Sequence, residues 1–124
     1  MVANLIMVAI GGALGAMARY GLGIAVLRAT GPGFPLGVMA ANVIGSFLMG
    51  VFVVVAAQRG LTHLSPFVMV GLFGGFTTFS AFSLETVTLF ERGEWLQAGL
   101  YVILSVALSV GALVLGLVAA RALS

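Results

Sequence analysis

Four long apolar stretches dominate this chain, and short polar or Gly/Pro-rich segments separate them. By sequence, the stretches cover about residues 3–27, 36–57, 67–90 and 96–120. About 20 apolar residues in an α-helix cross the hydrocarbon core of a bilayer, so each stretch is long enough for one span. The 124 residues are 62% hydrophobic and only 6% charged, which is too little charge to cover a soluble domain of this length. The sequence therefore predicts an all-α, multi-pass membrane protein with one four-helix domain over residues 1–124.

The three predicted connections differ from the spans in composition. They read RATGPGFP (28–35), QRGLTHLSP (58–66) and ERGE (91–94). Pro66 suits the first turn of a helix, and Trp95 lies where interfacial aromatic residues usually occur. The N-terminus lacks the positively charged segment of a signal peptide, so we expect the first span to be retained. The expected location is the cell (inner) membrane.

Composition excludes several functional classes. Five arginines scattered over the chain form no basic patch for nucleic acid, although the formal net charge is +2. The absence of cysteine excludes disulfides and thiolate chemistry. The chain has no aspartate, and its single histidine, His63, falls in a predicted loop without a metal-ligating partner. A Ser-His-Asp triad is therefore impossible, and we expect no enzyme.

The arginines outside the spans are divided evenly between the two sides of the membrane. Four spans place Arg59 and Arg121 on one side, and Arg28 and Arg92 on the other. This distribution gives no positive-inside bias. Two interpretations remain open: one weakly determined orientation, or a dual topology in which copies insert both ways and pair antiparallel.

Glycine is abundant, with 18 residues, and recurs at helical spacing. Gly11 with Gly15, and Gly71 with Gly75, form G-x-x-x-G motifs. Small residues at this spacing let helix backbones approach closely in lipid, either within one bundle or between subunits. Four helices packed this closely leave little room for an internal passage. We therefore expect an oligomer with a binding site or pore between subunits.

One arginine and one glutamate lie within predicted spans, where ionisable groups usually face a bundle interior or water. Arg19 continues the stripe of Gly11 and Gly15. It either snorkels to the headgroups, lies at the mouth of a pathway, or pairs with a carboxylate. Glu85 is either that partner or an interfacial residue.

Polar side chains also form stripes on two helices. Asn42 and Ser46 share one face of the second span. Tyr101, Ser105 and Ser109 share one face of the fourth. A single serine is weak evidence for a polar path, because its hydroxyl often bonds to its own helix backbone. A buried amide such as that of Asn42, by contrast, needs a hydrogen-bond partner. Together these stripes predict a hydrated path lined by polar side chains, referred to below as the polar track.

The third span contains the unusual segment GGFTTFSAFS (74–83). Gly74 and Gly75 are expected to weaken the helix near the membrane centre, and the hydroxyls that follow can satisfy freed backbone groups. A broken membrane helix presents carbonyls that coordinate cations and amides that attract anions. Phenylalanines recur every three residues here, and the positive edge of an aromatic ring favours an anion without a fixed charge. The alternative is that the rings fill the core and the glycines permit close contact.

Three segments together resemble the Fluc-type (CrcB) fluoride channel family. They are GGALGAMARY (11–20), NVIGSFLMG (42–50) and GGFTTFSAFS (74–83). The resemblance extends over essentially the whole chain, and GG-x-TTFS is its most specific part. It implies a fluoride-selective channel that exports fluoride passively through two pores in an antiparallel, dual-topology homodimer. It also implies a structural sodium ion at the subunit interface.

The resemblance implies roles for individual residues. The backbone carbonyls of Gly74 and Thr77 look like sodium ligands. Arg19 and Glu85 resemble vestibule or structural residues. Residues similar to those of the fluoride pore are Asn42, Phe79, Phe82, Tyr101, Ser105 and Ser109. Lesser candidates are Gly75, Thr78, Ser80, Ser83 and Ser46.

Two positions depart from the family pattern. Ala81 stands where we expect threonine, and Val38 stands where a hydroxyl is often expected. Each change removes a possible donor from the polar track. Neither disturbs the predicted break between Gly74 and Thr77.

Two other functions remain as alternatives. A small proton-coupled multidrug-type exporter needs a titrating carboxylate deep in a span, and Glu85 is the only candidate within the spans. A structural or holin-like membrane oligomer predicts leakage without ion preference.

Overall fold

Four helical spans follow one another in the computed structural model, which describes residues 1–31 and 34–123. The elements are α1 (Val2–Thr30), α2 (Leu36–Arg59), a 3₁₀ turn (Thr62–Leu64), a π-helix (Pro66–Phe73), the single turn α3 (Gly74–Phe76), α4 (Ser80–Glu91) and α5 (Trp95–Leu123). Four segments are long and apolar enough to cross a membrane: Val2–Thr30, Leu36–Arg59, Thr62–Glu91 and Trp95–Leu123. The predicted all-α architecture with four spans is confirmed, and the helices are slightly longer than predicted at most ends.

Glycines with positive φ end the first two helices. Gly31 follows α1 with φ 78°, and Gly60 follows α2 in the left-handed region with φ 69°. Residues with a Cβ rarely adopt these angles, which is why glycine stands at both ends. Because α1 continues to Thr30, the predicted loop 28–35 is shorter than expected. Its Pro32 and Gly33 lie outside the described residues.

The third span is interrupted, as predicted, but the glycines are not the point of interruption. Gly74 has helical angles (φ −62°, ψ −39°), and Gly74–Phe76 forms a helical turn. The backbone becomes extended at Thr77 (φ −87°, ψ 158°), and helix resumes at Ser80. The break therefore occupies residues 77–79, directly after the two glycines that were expected to cause it.

The glycines of the third span instead permit close contact with α1. A Cβ added to Gly75 would lie 2.7 Å from the carbonyl oxygen of Gly12, and one added to Gly71 would lie 2.9 Å from that of Val8. On the α1 side, a Cβ on Gly15 would overlap the carbonyl oxygen of Leu72. The two G-x-x-x-G motifs thus face each other within one chain, where both helix backbones approach closely.

The two halves of the third span contact different helices. The π-helix and α3 pack along α1, whereas α4 packs on α5, and α2 lies along α5. The buried core lies at the α4 end of the bundle. It consists of Met39, Phe82, Leu89, Ala98 and Tyr101. The break is therefore the point at which the chain passes from one helix pair to the other.

Much of the outer surface is strongly apolar, as expected for helices that face lipid or a partner. Large hydrophobic side chains such as Leu96 and Ile103 are 77% and 65% exposed. A soluble chain of this size does not expose such an extensive apolar surface. The membrane setting follows from this surface together with the span lengths, while the predicted homodimer stays a prediction.

Candidate functional site

Asn42 binds the backbone of the break through both ends of its side-chain amide. The Thr78 N–H donates to Asn42 Oδ1 at 2.8 Å, and Asn42 Nδ2 donates to the Thr78 carbonyl at 3.1 Å. A backbone N–H only donates and a carbonyl only accepts, so this pairing fixes which way the amide is turned. Asn42 thus replaces the helical partners that the break removes from Thr78.

Neighbouring hydroxyls satisfy other backbone groups at the break. Thr77 donates to the Phe73 carbonyl from both its backbone N–H (3.0 Å) and its Oγ1 (2.9 Å), which ends the first half of the span. The Thr78 Oγ1 accepts from the Ala81 N–H at 3.3 Å and lies 3.3 Å from Ser80 Oγ. Thr78 therefore acts as a side-chain cap for the start of α4. The sequence prediction that hydroxyls would satisfy freed backbone groups holds at these positions.

The carbonyl oxygens of Gly74 and Thr77 are among those at the break that accept no hydrogen bond within the described residues. Across residues 1–31 and 34–123, no backbone or side-chain donor bonds to the carbonyl of Gly74 or Thr77. In a continuous helix the Thr78 N–H would donate to Gly74, but here it donates to Asn42. Gly74 is also exposed. The break thus leaves the carbonyl oxygens of residues 74–77 free, those of Gly74 and Thr77 among them.

A groove of about 470 Å³ runs beside the break, between α2, α4 and α5. Nine predicted site residues line it: Asn42, Ser46, Gly74, Thr77, Thr78, Phe79, Phe82, Ser105 and Ser109. The lining also includes Gly45, Met49, Val106 and Val110, and it contains no charged side chain. A Cβ on Gly45 would lie 2.5 Å from Thr77 Cγ2, so the glycine leaves space for the break. The fold therefore brings most of the predicted residues to one surface.

Ser105 is among the residues that line this groove. The residue is 4% exposed, and its Oγ has no hydrogen-bond partner. Buried polar atoms of proteins are nearly always hydrogen-bonded, and an exception calls for an explanation such as a water or an ion. The Ser105 hydroxyl is thus a buried donor that no described group of the chain uses.

Aromatic rings continue from the groove into the core. Phe79 is 76% exposed, and its ring centroid lies 5.5 Å from that of buried Phe82. Phe82 lies 5.2 Å from Tyr101, which in turn meets Phe34 edge-on at 5.5 Å. Phe82 therefore fills the core, as one interpretation expected, and it also lines the groove together with Phe79. That the rings favour an anion stays a prediction.

Tyr101 and Glu85 form a pair away from the groove. Tyr101 is fully buried, and its O–H donates to Glu85 Oε2 at 3.0 Å. Glu85 lines a second cavity of about 480 Å³, together with Thr88 and Arg92. Phe82 lines the groove, whereas Tyr101 is not part of the lining. The predicted stripe of Tyr101, Ser105 and Ser109 is therefore divided between the core and the groove.

Four other predicted residues also lie outside the groove lining. They are Arg19, Gly75, Ser80 and Ser83. No ion pair joins Arg19 to Glu85 in the described parts of the chain, and the Arg19 Nε is buried without a hydrogen-bond partner. Gly75 contacts Gly12 of α1, as described above. Among residues 1–31 and 34–123, no group of three or more histidine, aspartate or glutamate side chains is placed to hold a metal ion.

Sequence comparison identifies the family. A family model described as CrcB-like protein, Camphor Resistance (CrcB), matches residues 6–117. This chain belongs to the CrcB family. The resemblance inferred from the three motifs is thereby confirmed.

The CrcB-family chain is similar to several proteins with one name. It is 64% identical over 122 residues to "Fluoride-specific ion channel FluC" of Ruegeria sp. (strain TM1040), with 98% of this chain and 97% of that protein covered. It is 69% identical over 120 residues to the protein of that name from Roseobacter denitrificans, covering 95% of each. A third, from Cereibacter sphaeroides, is 55% identical over 121 residues.

Sequence reasoning missed the partner of Asn42 and the apolar part of the groove. Asn42 and Thr78 are far apart in the chain of this CrcB-family protein, and no local pattern links them. A signal did exist: a buried amide on a membrane helix needs a partner, and a broken helix supplies unpaired peptide groups. Met49, Val106 and Val110 are indistinguishable by type from lipid-facing residues, so no sequence pattern indicated that they line the groove.

Proposed function

We propose that this chain is a fluoride-selective ion channel, which lowers cytoplasmic fluoride by passive export. Membership of the CrcB family and the shared name of three relatives support this function. The observation that carries it is the groove beside the break, where the unpartnered Ser105 hydroxyl lies in a lining without charged side chains. These groups suit a small anion that accepts hydrogen bonds strongly.

Fluoride must exchange its hydration shell for protein groups to pass. Ser105 and Ser109 supply hydroxyl donors on one wall of the groove, and the edges of Phe79 and Phe82 supply weak positive potential on another. A channel must bind an ion strongly enough to admit it and weakly enough to release it. A lining of neutral donors and ring edges meets both conditions.

A second copy of the chain is proposed to cover the groove. Phe79 and Gly74 are exposed, and free carbonyls such as those of Gly74 and Thr77 are not tolerated in contact with lipid. An antiparallel, dual-topology homodimer would bury both breaks together and form two pores. The even division of arginines between the two sides supports copies that insert in both orientations.

The free carbonyls are proposed to hold a structural sodium ion. Gly74 and Thr77 offer neutral, hard oxygen atoms, and no acidic side chain lies in residues 74–83. Such a donor set fits an alkali cation rather than a transition metal. When bound, the ion would supply positive charge that joins the two copies at their breaks. The helix surface around the proposed sodium site would include Gly75, Ser80 and Ser83.

Arg19, Glu85 and Tyr101 are proposed to act near the ends of the path. Arg19 is proposed to keep the vestibule role that the family resemblance implies. Its buried Nε has no hydrogen-bond partner among the described residues, so a group outside them would have to bind it. Glu85 and Tyr101 hold each other in place next to the second cavity.

Efflux from liposomes tests this function. Purified protein reconstituted into vesicles loaded with potassium fluoride, with valinomycin added, should release fluoride rapidly to a fluoride electrode. Chloride should be retained, and the rate should not depend on a proton gradient. Saturable, pH-driven export of organic cations would favour the exporter instead, and equal release of fluoride and chloride would favour a holin-like oligomer.

A further inference from the structure

We propose that Asn42 is the positioning residue of the sodium site and acts through the peptide group between Thr77 and Thr78. The inference rests on the proposed function, because it assumes that Gly74 and Thr77 hold sodium through their carbonyls. It assigns Asn42 a role besides that of a donor in the fluoride path. The decisive contact is the 2.8 Å bond from the Thr78 N–H to Asn42 Oδ1.

The first effect of this bond is to keep the Gly74 carbonyl free. The Thr78 N–H is the group that an α-helix would pair with Gly74, four residues earlier. Asn42 Oδ1 competes for that N–H and holds it. Without the amide, the N–H would have to find another acceptor in a water-poor site, and in a continuous helix that acceptor is the Gly74 carbonyl.

The second effect is to orient the Thr77 carbonyl. The described chain has no cis peptide bond, so the Thr77 carbonyl and the Thr78 N–H point in opposite directions across one planar unit. The N–H points to Asn42 on α2. The Thr77 carbonyl therefore points away from α2.

The second amide bond prevents this peptide from rotating freely. Asn42 Nδ2 donates to the Thr78 carbonyl at 3.1 Å, so both backbone groups of Thr78 are held on the α2 side. A hydrogen bond to a peptide N–H also polarises the carbonyl of the same unit and makes its oxygen a better acceptor for a cation. The Asn42 side chain thus leaves the Gly74 carbonyl free, and it orients and polarises the Thr77 carbonyl.

This coupling predicts that sodium affinity depends on Asn42, even though its side chain need not touch the ion. In Asn42→Ala, two hydrogen bonds to the break are lost. At about 1 kcal/mol for each hydrogen bond, sodium affinity should fall roughly tenfold or more. In Asn42→Asp, one carboxyl oxygen still accepts from the Thr78 N–H, but the added negative charge itself attracts sodium, so Asn42→Ala is the variant that decides.

Thermal unfolding of the full-length purified protein in detergent measures sodium binding without any flux. The unfolding midpoint is recorded over a range of NaCl concentrations, with N-methylglucamine chloride at matched ionic strength. A cation that binds only the folded protein raises the midpoint in proportion to its binding, which gives the affinity. Ser109→Ala is the matched variant, since it alters the groove but makes no hydrogen bond to the break: fluoride flux should fall while sodium affinity stays unchanged.

The outcomes separate this inference from the function on which it rests. A sodium response about tenfold weaker in Asn42→Ala than in the wild type supports it. If the wild type responds to sodium and Asn42→Ala responds equally, Asn42 does not position the site. If the wild type does not respond at all, the sodium site itself is wrong. Should Asn42→Ala not fold, Asn42→Ser replaces it, because serine is too short to reach both groups of Thr78; an unchanged sodium response would again refute the inference.

Discussion

Replacing Gly15 with alanine should destabilise the packing of α1 on the third span. The new Cβ would overlap the Leu72 carbonyl oxygen and would lie 2.8 Å from the Phe76 nitrogen. All of these neighbours are backbone atoms, so no side chain can rotate to make room. To restore a contact of 3.4 Å to Phe76 alone, the helices would have to separate by about 0.6 Å, and the closer overlap with the Leu72 carbonyl oxygen requires a larger movement.

Two opposing contributions set the size of the change in the free energy of unfolding. Overpacking of this kind costs about 3 kcal/mol when the surroundings cannot yield. The higher helix propensity of alanine returns about 1 kcal/mol. We therefore expect a net loss of about 2 kcal/mol in the free energy of unfolding. The loss should be accompanied by lower fluoride flux, because the same helices hold the break.

Gly12→Ala is the matched control, three residues away on the same helix. A Cβ there would meet only the Gly71 carbonyl oxygen, at 4.0 Å, which is an ordinary contact. Equilibrium unfolding in mixed micelles with increasing dodecyl sulfate, at equal protein concentration, compares the two variants with the wild type. The packing argument is refuted if Gly15→Ala is as stable as Gly12→Ala.

Three further substitutions test separate contacts. Tyr101→Phe removes the O–H that donates to Glu85 and should lower the free energy of unfolding by about 2 kcal/mol, as for a bond to a charged group; unchanged stability would mean that the bond is not formed in the membrane protein. Ser105→Ala should leave stability nearly unchanged, since the hydroxyl has no partner, but should reduce fluoride efflux from vesicles; full flux would remove this hydroxyl from the path. Gly116→Ala places a Cβ on the Phe47 carbonyl oxygen and should destabilise the α2–α5 contact, and a folded, equally stable variant would contradict it.

The number and type of the helices were predictable because they depend on local composition. Four apolar stretches with polar connections leave few choices in a bilayer. The existence of a break was also predictable from GGFTTFSAFS (74–83), although its position was not. Glycine weakens a helix, but tertiary contact decides the outcome: Gly75 stays helical because it packs against Gly12, and the helix breaks at Thr77.

The candidate site was predictable in its residue types and only partly in its arrangement. Stripes at helical spacing correctly placed Ser105 and Ser109 on the groove, since such spacing defines one helix face. Tyr101 shares that stripe, yet its long side chain extends into the core to reach Glu85. The Asn42 contact depends on how α2 meets the break, and that relation is not encoded at any fixed sequence spacing.

In the proposed channel, fluoride passes through the groove beside the break. Fluoride efflux from vesicles that contain Phe79→Ile tests it most directly, because Phe79 is the exposed ring of the groove. Phe90→Ile is the matched control: Phe90 is also exposed and lies on α4, but it stacks on Trp95 at 5.7 Å, outside the groove. We predict that Phe79→Ile loses most of the fluoride flux while Phe90→Ile conducts like the wild type. Wild-type flux through folded Phe79→Ile would contradict the account.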